Sequence, residues 1–158
     1  MKNNKLLVYL AGCETWYYKN DNRYFEEWRE TVEAWFKAFC EDVVIINPCN
    51  YYSFDEKLHK TDAEIRRFDL HKVRCSDVVL VNLDHITDSV GTLNEIFLAD
   101  ELGIPVIGFY EFNGEHDMFH NDKYKEESWI LDACHRIEND ETTAMFDACA
   151  YIRDYYAS

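Results

Sequence analysis

The sequence predicts an α/β protein with one doubly wound, mainly parallel sheet of five strands and helices on both faces, as in flavodoxin-like and Rossmann-like folds. Short apolar runs alternate with stretches in which apolar residues recur at helical spacing. Continuous apolar strands are typical of sheets that are covered on both faces, and regular alternation with helices favours parallel connections. A chain of 158 residues is of the size of one domain, so a single domain over 1–158 is expected.

The first half of the chain supplies two predicted strands and two predicted helices. Residues 6–12 form an apolar run that ends at a glycine, and residues 43–48 form another that a proline ends. Between them, residues 24–40 predict a packing helix with an apolar stripe, made of Phe25, Trp28, Val32, Trp35, Phe36 and Phe39. A capping-box pattern, Thr61-x-x-Glu64, predicts the start of a helix that runs to about Cys75 and buries Ile65, Phe68 and Val73.

The second half continues the alternation. Residues 78–83 predict the third strand, a helix follows to about Leu102, and residues 104–110 predict the fourth strand. Residues 111–129 have no clear period and are interpreted as a long loop that serves as a lid or an interface. A short fifth strand is expected within 130–137 and a closing helix over 142–156.

Charge and composition limit the class of partner. The net charge of −15, from 16 basic and 31 acidic residues, argues against nucleic acid polymers and anionic membranes. A small neutral or modestly charged ligand is easier to accept. Six cysteines without a C-x-x-C pair predict reduced thiols, and no apolar run is long enough for a membrane span, so a cytoplasmic location is expected.

Two further motifs favour a protein without a cofactor. His116-x-x-x-His120 has the spacing of a helical metal pair but lacks the glutamate and the third ligand that make such a pair informative. The dinucleotide fingerprint G-x-G-x-x-G is absent after the first strand. We therefore expect neither a metal nor an organic cofactor.

The most informative segment is 88–95, Asp-Ser-Val-Gly-Thr-Leu-Asn-Glu, which lies between the third strand and the next helix. Ligands of open α/β sheets bind at this edge, so Glu95 is a candidate nucleophile. Thr92-x-x-Glu95 is also a capping-box pattern, in which Glu95 would only satisfy the start of its helix. The pattern alone favours capping.

Several motifs in order resemble the nucleoside 2-deoxyribosyltransferase family and its relatives that hydrolyse nucleoside 5′-monophosphates. They are Tyr9-x-Ala-Gly12 at the end of the first strand, Asp69 eight residues before Asp77, and Ser89-x-Gly91-Thr-x-x-Glu95. The resemblance covers most of 5–110.

The resemblance implies that Glu95 attacks C1′ of the deoxyribose, that Asp69 assists at the departing base, and that the Tyr9 hydroxyl holds the Glu95 carboxylate. It also places Gly12, Asp88, Ser89 and Gly91 in substrate binding. Family members are commonly oligomers, so a homodimer or larger assembly is expected. The residue types suit the chemistry, because retention at a glycosidic carbon requires a nucleophilic carboxylate and a proton source for the leaving group.

The sequence leaves open whether the reaction is transfer from a deoxynucleoside or hydrolysis of a nucleoside 5′-monophosphate. The transferases commonly carry an aspartate six residues before the nucleophile, where this chain has Ser89, and a serine there is similar to the phosphate pocket of the nucleotide hydrolases. The first loop, in contrast, is acidic and aromatic, and only Lys19, Arg23 or a partner subunit would supply positive charge. We expect an uncharged deoxynucleoside to be preferred. A nucleotide-binding sensor module that has lost turnover is a third possibility.

Overall fold

The computed structural model describes residues 4–51, 60–110 and 128–157. The strands are β1 Leu6–Gly12, β2 Val43–Ile46, β3 Val78–Asn82, β4 Val106–Phe109 and β5 Arg136–Glu138. The helices are α1 Thr15–Lys19, α2 Tyr24–Phe39, α3 Asp62–Arg74, α4 Val90–Glu101, α5 Ser128–Ala133 and α6 Ala144–Tyr156, with short 3-10 turns at Pro48–Asn50 and Ile86–Asp88.

All five strands are parallel, in the order β2-β1-β3-β4-β5. The order reverses between β1 and β3, which is the topological switch point where doubly wound sheets bind ligands at the carboxyl ends of the strands. The last residues of three strands lie side by side at this edge, because Gly12 pairs with Asn82 and Asn82 pairs with Phe109. The α/β fold class predicted from the sequence is confirmed.

The core has two layers because successive strand residues point to opposite faces of the sheet. Tyr9 and Ala11 of β1 pack on the face covered by α3 and α4, together with Val73 and Ile96 of those helices. The intervening strand residues, among them Leu10, pack on the face covered by α2 and α6.

Most element predictions agree with the structure, and the differences have local causes. The predicted stripe of α2 extends too far, since Phe39 is 61% exposed at the helix end. Leu70 and Val73 are the buried residues of α3, whereas Ile65 and Phe68 are half-buried.

The predicted fifth strand forms only at the end of its range, because α5 occupies the first part. The short helix α1, within the first loop, was not predicted. Of the loop predicted over 111–129, residues 111–127, with the pair His116 and His120, lie outside the described residues. Residues 128–129 are not loop but the start of α5. No helix in the described ranges has the length and apolar character needed to cross a bilayer.

Candidate active site

Ser89 caps the start of helix α4, and this corrects the capping-box interpretation of Thr92-x-x-Glu95. The Ser89 side chain accepts a hydrogen bond from the Thr92 backbone N–H at 3.3 Å, and the two hydroxyl groups lie 2.7 Å apart. Thr92 is therefore the third residue of the helix and not its cap. Glu95 lies in the next turn, beyond the backbone N–H groups that a capping carboxylate would satisfy.

Glu95 instead faces the interior, with 9% of its surface exposed. Its Oε2 atom is buried and accepts no hydrogen bond from the described residues. Burial raises the pKa of Glu95 from its ordinary 4.5 to about 8; the Tyr9 hydroxyl, a hydrogen-bond donor toward the carboxylate, lowers the pKa, and the charge of Asp69 raises it. A buried carboxylate with an available oxygen is suited to meet a ligand.

Tyr9 and Asp69 reach this carboxylate from two other elements. Tyr9 is fully buried in the middle of the sheet, where it pairs with Ile46 of β2 and Val79 of β3. Asp69 is half-buried in α3, the helix that packs against α4. The structure therefore brings together the three residues that the resemblance singled out.

Two charged residues near Glu95 were not predicted. Arg29 of α2 is 1% exposed, and it lies 3.3 Å from the Glu14 carboxylate, which follows β1. Both act on Glu95, because the charge of Glu14 raises its pKa and that of Arg29 lowers it. Arg29 sits on the apolar stripe, one position after Trp28 and four after Phe25. A charge within such a stripe signals a buried partner, and the acidic first loop was the place to look for it.

The four predicted substrate-binding residues fall into two groups. Gly12 is buried at the end of β1, and a Cβ atom there would lie 2.9 Å from the Trp28 ring, so close packing requires glycine. The other three lie around the start of α4: Asp88 and Gly91 are exposed, and Ser89 caps the helix. Among the described residues, and apart from its chain neighbours and the backbone of α4, no atom lies within 4 Å of a Cβ added at Gly91.

An aromatic cluster lies beside this edge, between the first loop and the loop after β3. The Trp16 ring stacks on His85 with centroids 3.6 Å apart, and Tyr17 meets the same imidazole edge-on. His85 has a left-handed backbone with φ of 57°. Burial raises the pKa of the nearby Cys13 thiol, which is the opposite of what a thiolate nucleophile requires.

The fold and the site together define a doubly wound α/β protein with a cluster of carboxylates at its switch point. The sequence model of the nucleoside 2-deoxyribosyltransferase family matches residues 8–142, and the chain belongs to this family of enzymes. No match was found among curated proteins.

Two solved structures share the fold. A conserved protein from Enterococcus faecalis V583 has a TM-score of 0.61 and 18% identity, and the alignment covers 93% of this chain and 99% of that one. A 2-deoxyribosyltransferase from the psychrotolerant bacterium Bacillus psychrosaccharolyticus has a TM-score of 0.62 and 17% identity, with 88% and 90% covered.

Proposed function

We propose that this protein is a nucleoside 2-deoxyribosyltransferase that moves deoxyribose from one base to another through a covalent intermediate on Glu95. The observation that carries the proposal is the position of Glu95. It is a buried carboxylate in the body of α4, it takes no part in capping, and it lies beside Tyr9 and Asp69. Family membership supplies the reaction class.

In the first half-reaction, a Glu95 carboxylate oxygen attacks C1′ as the bond from C1′ to the base nitrogen breaks. The electron pair of that bond goes to the base, which takes a proton from Asp69. The Tyr9 hydroxyl holds the attacking carboxylate and does not change protonation state. This division of roles is that of retaining glycosidases, with a ring nitrogen as the leaving group.

In the second half-reaction, a ring nitrogen of another base attacks C1′, gives its proton to Asp69 and releases Glu95. Attack by water instead would release free deoxyribose. Transfer and hydrolysis thus use the same residues and differ in the second nucleophile alone.

The electrostatics of the site support one shared proton between Glu95 and Asp69. Burial and the charge of Asp69 both disfavour an ionised Glu95, so the pair resists losing its last proton. With the pKa of Glu95 raised to about 8, the free site holds that proton on Glu95, and attack requires its transfer to Asp69, which leaves the charge on Glu95. Such a pair can provide a nucleophile and an acid at the same pH.

Ser89 favours a second candidate, the N-glycosidase of nucleoside 5′-monophosphates. Its hydroxyl, however, is engaged in capping α4 and in contact with Thr92. Of the cations in the first loop, Lys19 and Arg23 are exposed, and Arg23 pairs with Glu26 at 3.4 Å. These contacts support an uncharged nucleoside as substrate over a nucleoside 5′-monophosphate. The position of Glu95 argues against a sensor module, for which a capping role was expected.

The test is incubation with deoxynucleosides and with their 5′-monophosphates, each with and without a free acceptor base, followed by chromatography. We expect a new deoxynucleoside from the free nucleoside when the acceptor is present. Preferential cleavage of the monophosphate, with no exchanged product, would favour the N-glycosidase. No cleavage of any substrate would favour the sensor module.

We propose in addition that the enzyme acts as a homo-oligomer. Val90 and Phe97 of α4 and Trp129 of α5 are exposed apolar side chains, with Val90 at 75% and Trp129 at 73%. Large exposed apolar side chains near one another are typical of interfaces. Light scattering on the purified protein tests this, and a monomeric mass at micromolar concentration would contradict it.

A further inference from the structure

The end of β1 is tied to α2 by the buried guanidinium of Arg29. Its two terminal nitrogens donate to the Phe25 carbonyl at 2.6 Å and to the Gly12 carbonyl at 3.1 Å. The guanidinium also lies over the Trp28 ring, 4.6 Å from its centroid. These contacts fix a charged group directly behind the carboxyl edge of the sheet.

The same guanidinium fixes the position of Glu14. The Arg29 nitrogen lies 3.3 Å from Glu14 Oε1, and the Cys49 thiol donates to that oxygen at 3.6 Å. Only 13% of the Glu14 side chain is exposed. A loop glutamate can stay hydrated at the surface without a partner, so the burial of Glu14 against a guanidinium indicates a carboxylate kept at a fixed position.

Glu14 follows β1 at the carboxyl edge of the sheet and has no role in the proposed mechanism. Its charge acts on Glu95, yet it belongs to neither the nucleophile nor the acid. Counting Glu95, Asp69 and Glu14, three carboxylates share the region with one guanidinium. Sugar hydroxyl groups are hydrogen-bond donors and suit a carboxylate, whereas a phosphate dianion would be repelled by it.

We propose that Glu14, held by Arg29, determines substrate specificity: it accepts a hydrogen bond from a deoxyribose hydroxyl and excludes 5′-phosphorylated substrates. The inference rests on the proposed function for its substrate class. Arg29 is a positioning residue in this arrangement, because it holds Glu14 while its other contacts are with backbone carbonyls and the Trp28 ring.

The experiment compares wild type, Glu14→Gln and the control Glu27→Gln. Glu27 is exposed on α2, so this control removes the same charge at a distance from the site. For each protein, kcat/KM is measured for thymidine and 2′-deoxyadenosine and for their 5′-monophosphates, and the binding of the same four compounds is measured by calorimetry. Glu14→Asp, which keeps the charge, serves as the conservative variant.

We expect wild type to prefer the nucleosides. Glu14→Gln should lower the ratio of nucleoside to monophosphate kcat/KM by at least about tenfold, because a negative charge facing the phosphate is lost. Glu14→Asp and Glu27→Gln should retain the wild-type preference. A ratio in Glu14→Gln within about twofold of wild type, or a wild-type preference for monophosphates, would overturn the proposal.

Two further outcomes remain decisive. If wild type turns over none of the compounds, the proposed function fails. The role of Glu14 is then decided by the ratio of nucleoside to monophosphate affinity from calorimetry, which Glu14→Gln should lower by at least about tenfold. If Glu14→Gln does not fold because it leaves Arg29 without its partner, the double variant Glu14→Gln/Arg29→Gln removes both charges and is compared in its place.

Discussion

Helices α3 and α4 both carry a Thr-x-x-Glu sequence near their start, and the two sequences have different structures. In α3, Thr61 Oγ1 accepts from the Glu64 N–H at 3.2 Å, and Glu64 Oε2 accepts from the Thr61 N–H at 3.0 Å. This is a complete capping box. In α4, the cap is Ser89, three residues before the threonine of the motif, and Glu95 lies inside the protein.

The difference comes from the residues that precede each motif. Ser89 stands three positions before Thr92 and can cap the helix itself, so Thr92 becomes part of the first turn. This shift carries Glu95 into the next turn, on the face of α4 that meets the sheet. One capping residue upstream thus separates a structural glutamate from a glutamate that is available for chemistry.

The largest expected effect is on turnover. Glu95→Gln should reduce base exchange by at least about a thousandfold, because the amide cannot form the covalent intermediate. Glu64→Gln, the matched change in the other motif, should leave kcat/KM unchanged, since glutamine also completes a capping box. Steady-state rates on a deoxynucleoside with an acceptor base measure both, and circular dichroism checks the fold. Substantial activity in Glu95→Gln would refute the nucleophile assignment.

The second effect is on the pH dependence of stability. With its pKa raised to about 8 from 4.5, folded Glu95 keeps its proton over a range in which the unfolded chain has lost it. Its contribution to stability is therefore fully present below pH 4.5 and is lost as the pH rises toward 8. Each pKa unit corresponds to about 1.4 kcal/mol, so wild type should lose several kcal/mol relative to Glu95→Gln across this range.

Urea unfolding of both proteins between pH 4.5 and pH 8.5 measures that difference. The Glu64→Gln variant provides the control, and its curve should run parallel to that of wild type. Parallel curves for wild type and Glu95→Gln would contradict a raised pKa in the folded state.

The third effect concerns Asp69 of α3, whose charge acts on Glu95 of α4. Asp69→Asn should slow cleavage of natural deoxynucleosides by about a hundredfold, because their bases need a proton to depart. A deoxyriboside with a nitrophenolate leaving group should be nearly insensitive. Asp62→Asn, an exposed change in the first turn of α3, is the control. Equal losses on both substrates would assign Asp69 to positioning alone.

The two helix starts also show how far local sequence determines structure. Apolar runs and helical stripes were sufficient to predict the parallel α/β sheet, because burial on both faces leaves a period that can be seen along the chain. The box at Thr61 was predicted correctly, since all its contacts are local. At Thr92 two caps competed, and Ser89 is the one that forms. The contact of Glu95 with Tyr9 joins distant parts of the chain, so the local pattern could not show it.

The contacts of Arg29 also could not be predicted from local sequence patterns. A pattern along α2 places Arg29 among apolar neighbours, but its partner Glu14 belongs to the loop after β1. Only the sheet order, with β1 between β2 and β3, brings that loop beside α2 and the carboxyl end of β3. Contacts between distant parts of the chain depend on this order, which local spacing does not contain.

The smallest expected effect separates the two caps themselves. Ser89→Ala removes the side-chain acceptor of α4, and Thr61→Ala removes that of α3, so each should lower the free energy of unfolding by about 1 kcal/mol. Thr92→Ser keeps the hydroxyl that contacts Ser89, and Thr92 is not the cap. This change should therefore lower the free energy of unfolding by less than Ser89→Ala does. Because Ser89 also sets where Glu95 lies, Ser89→Ala should reduce activity while Thr61→Ala does not.

Thermal unfolding and steady-state rates on the three variants measure these effects. Ser89→Asp, which restores an acceptor at the cap, should recover stability. If Ser89→Ala is as stable as wild type, the start of α4 is maintained by packing of the helix on the sheet instead of by its cap.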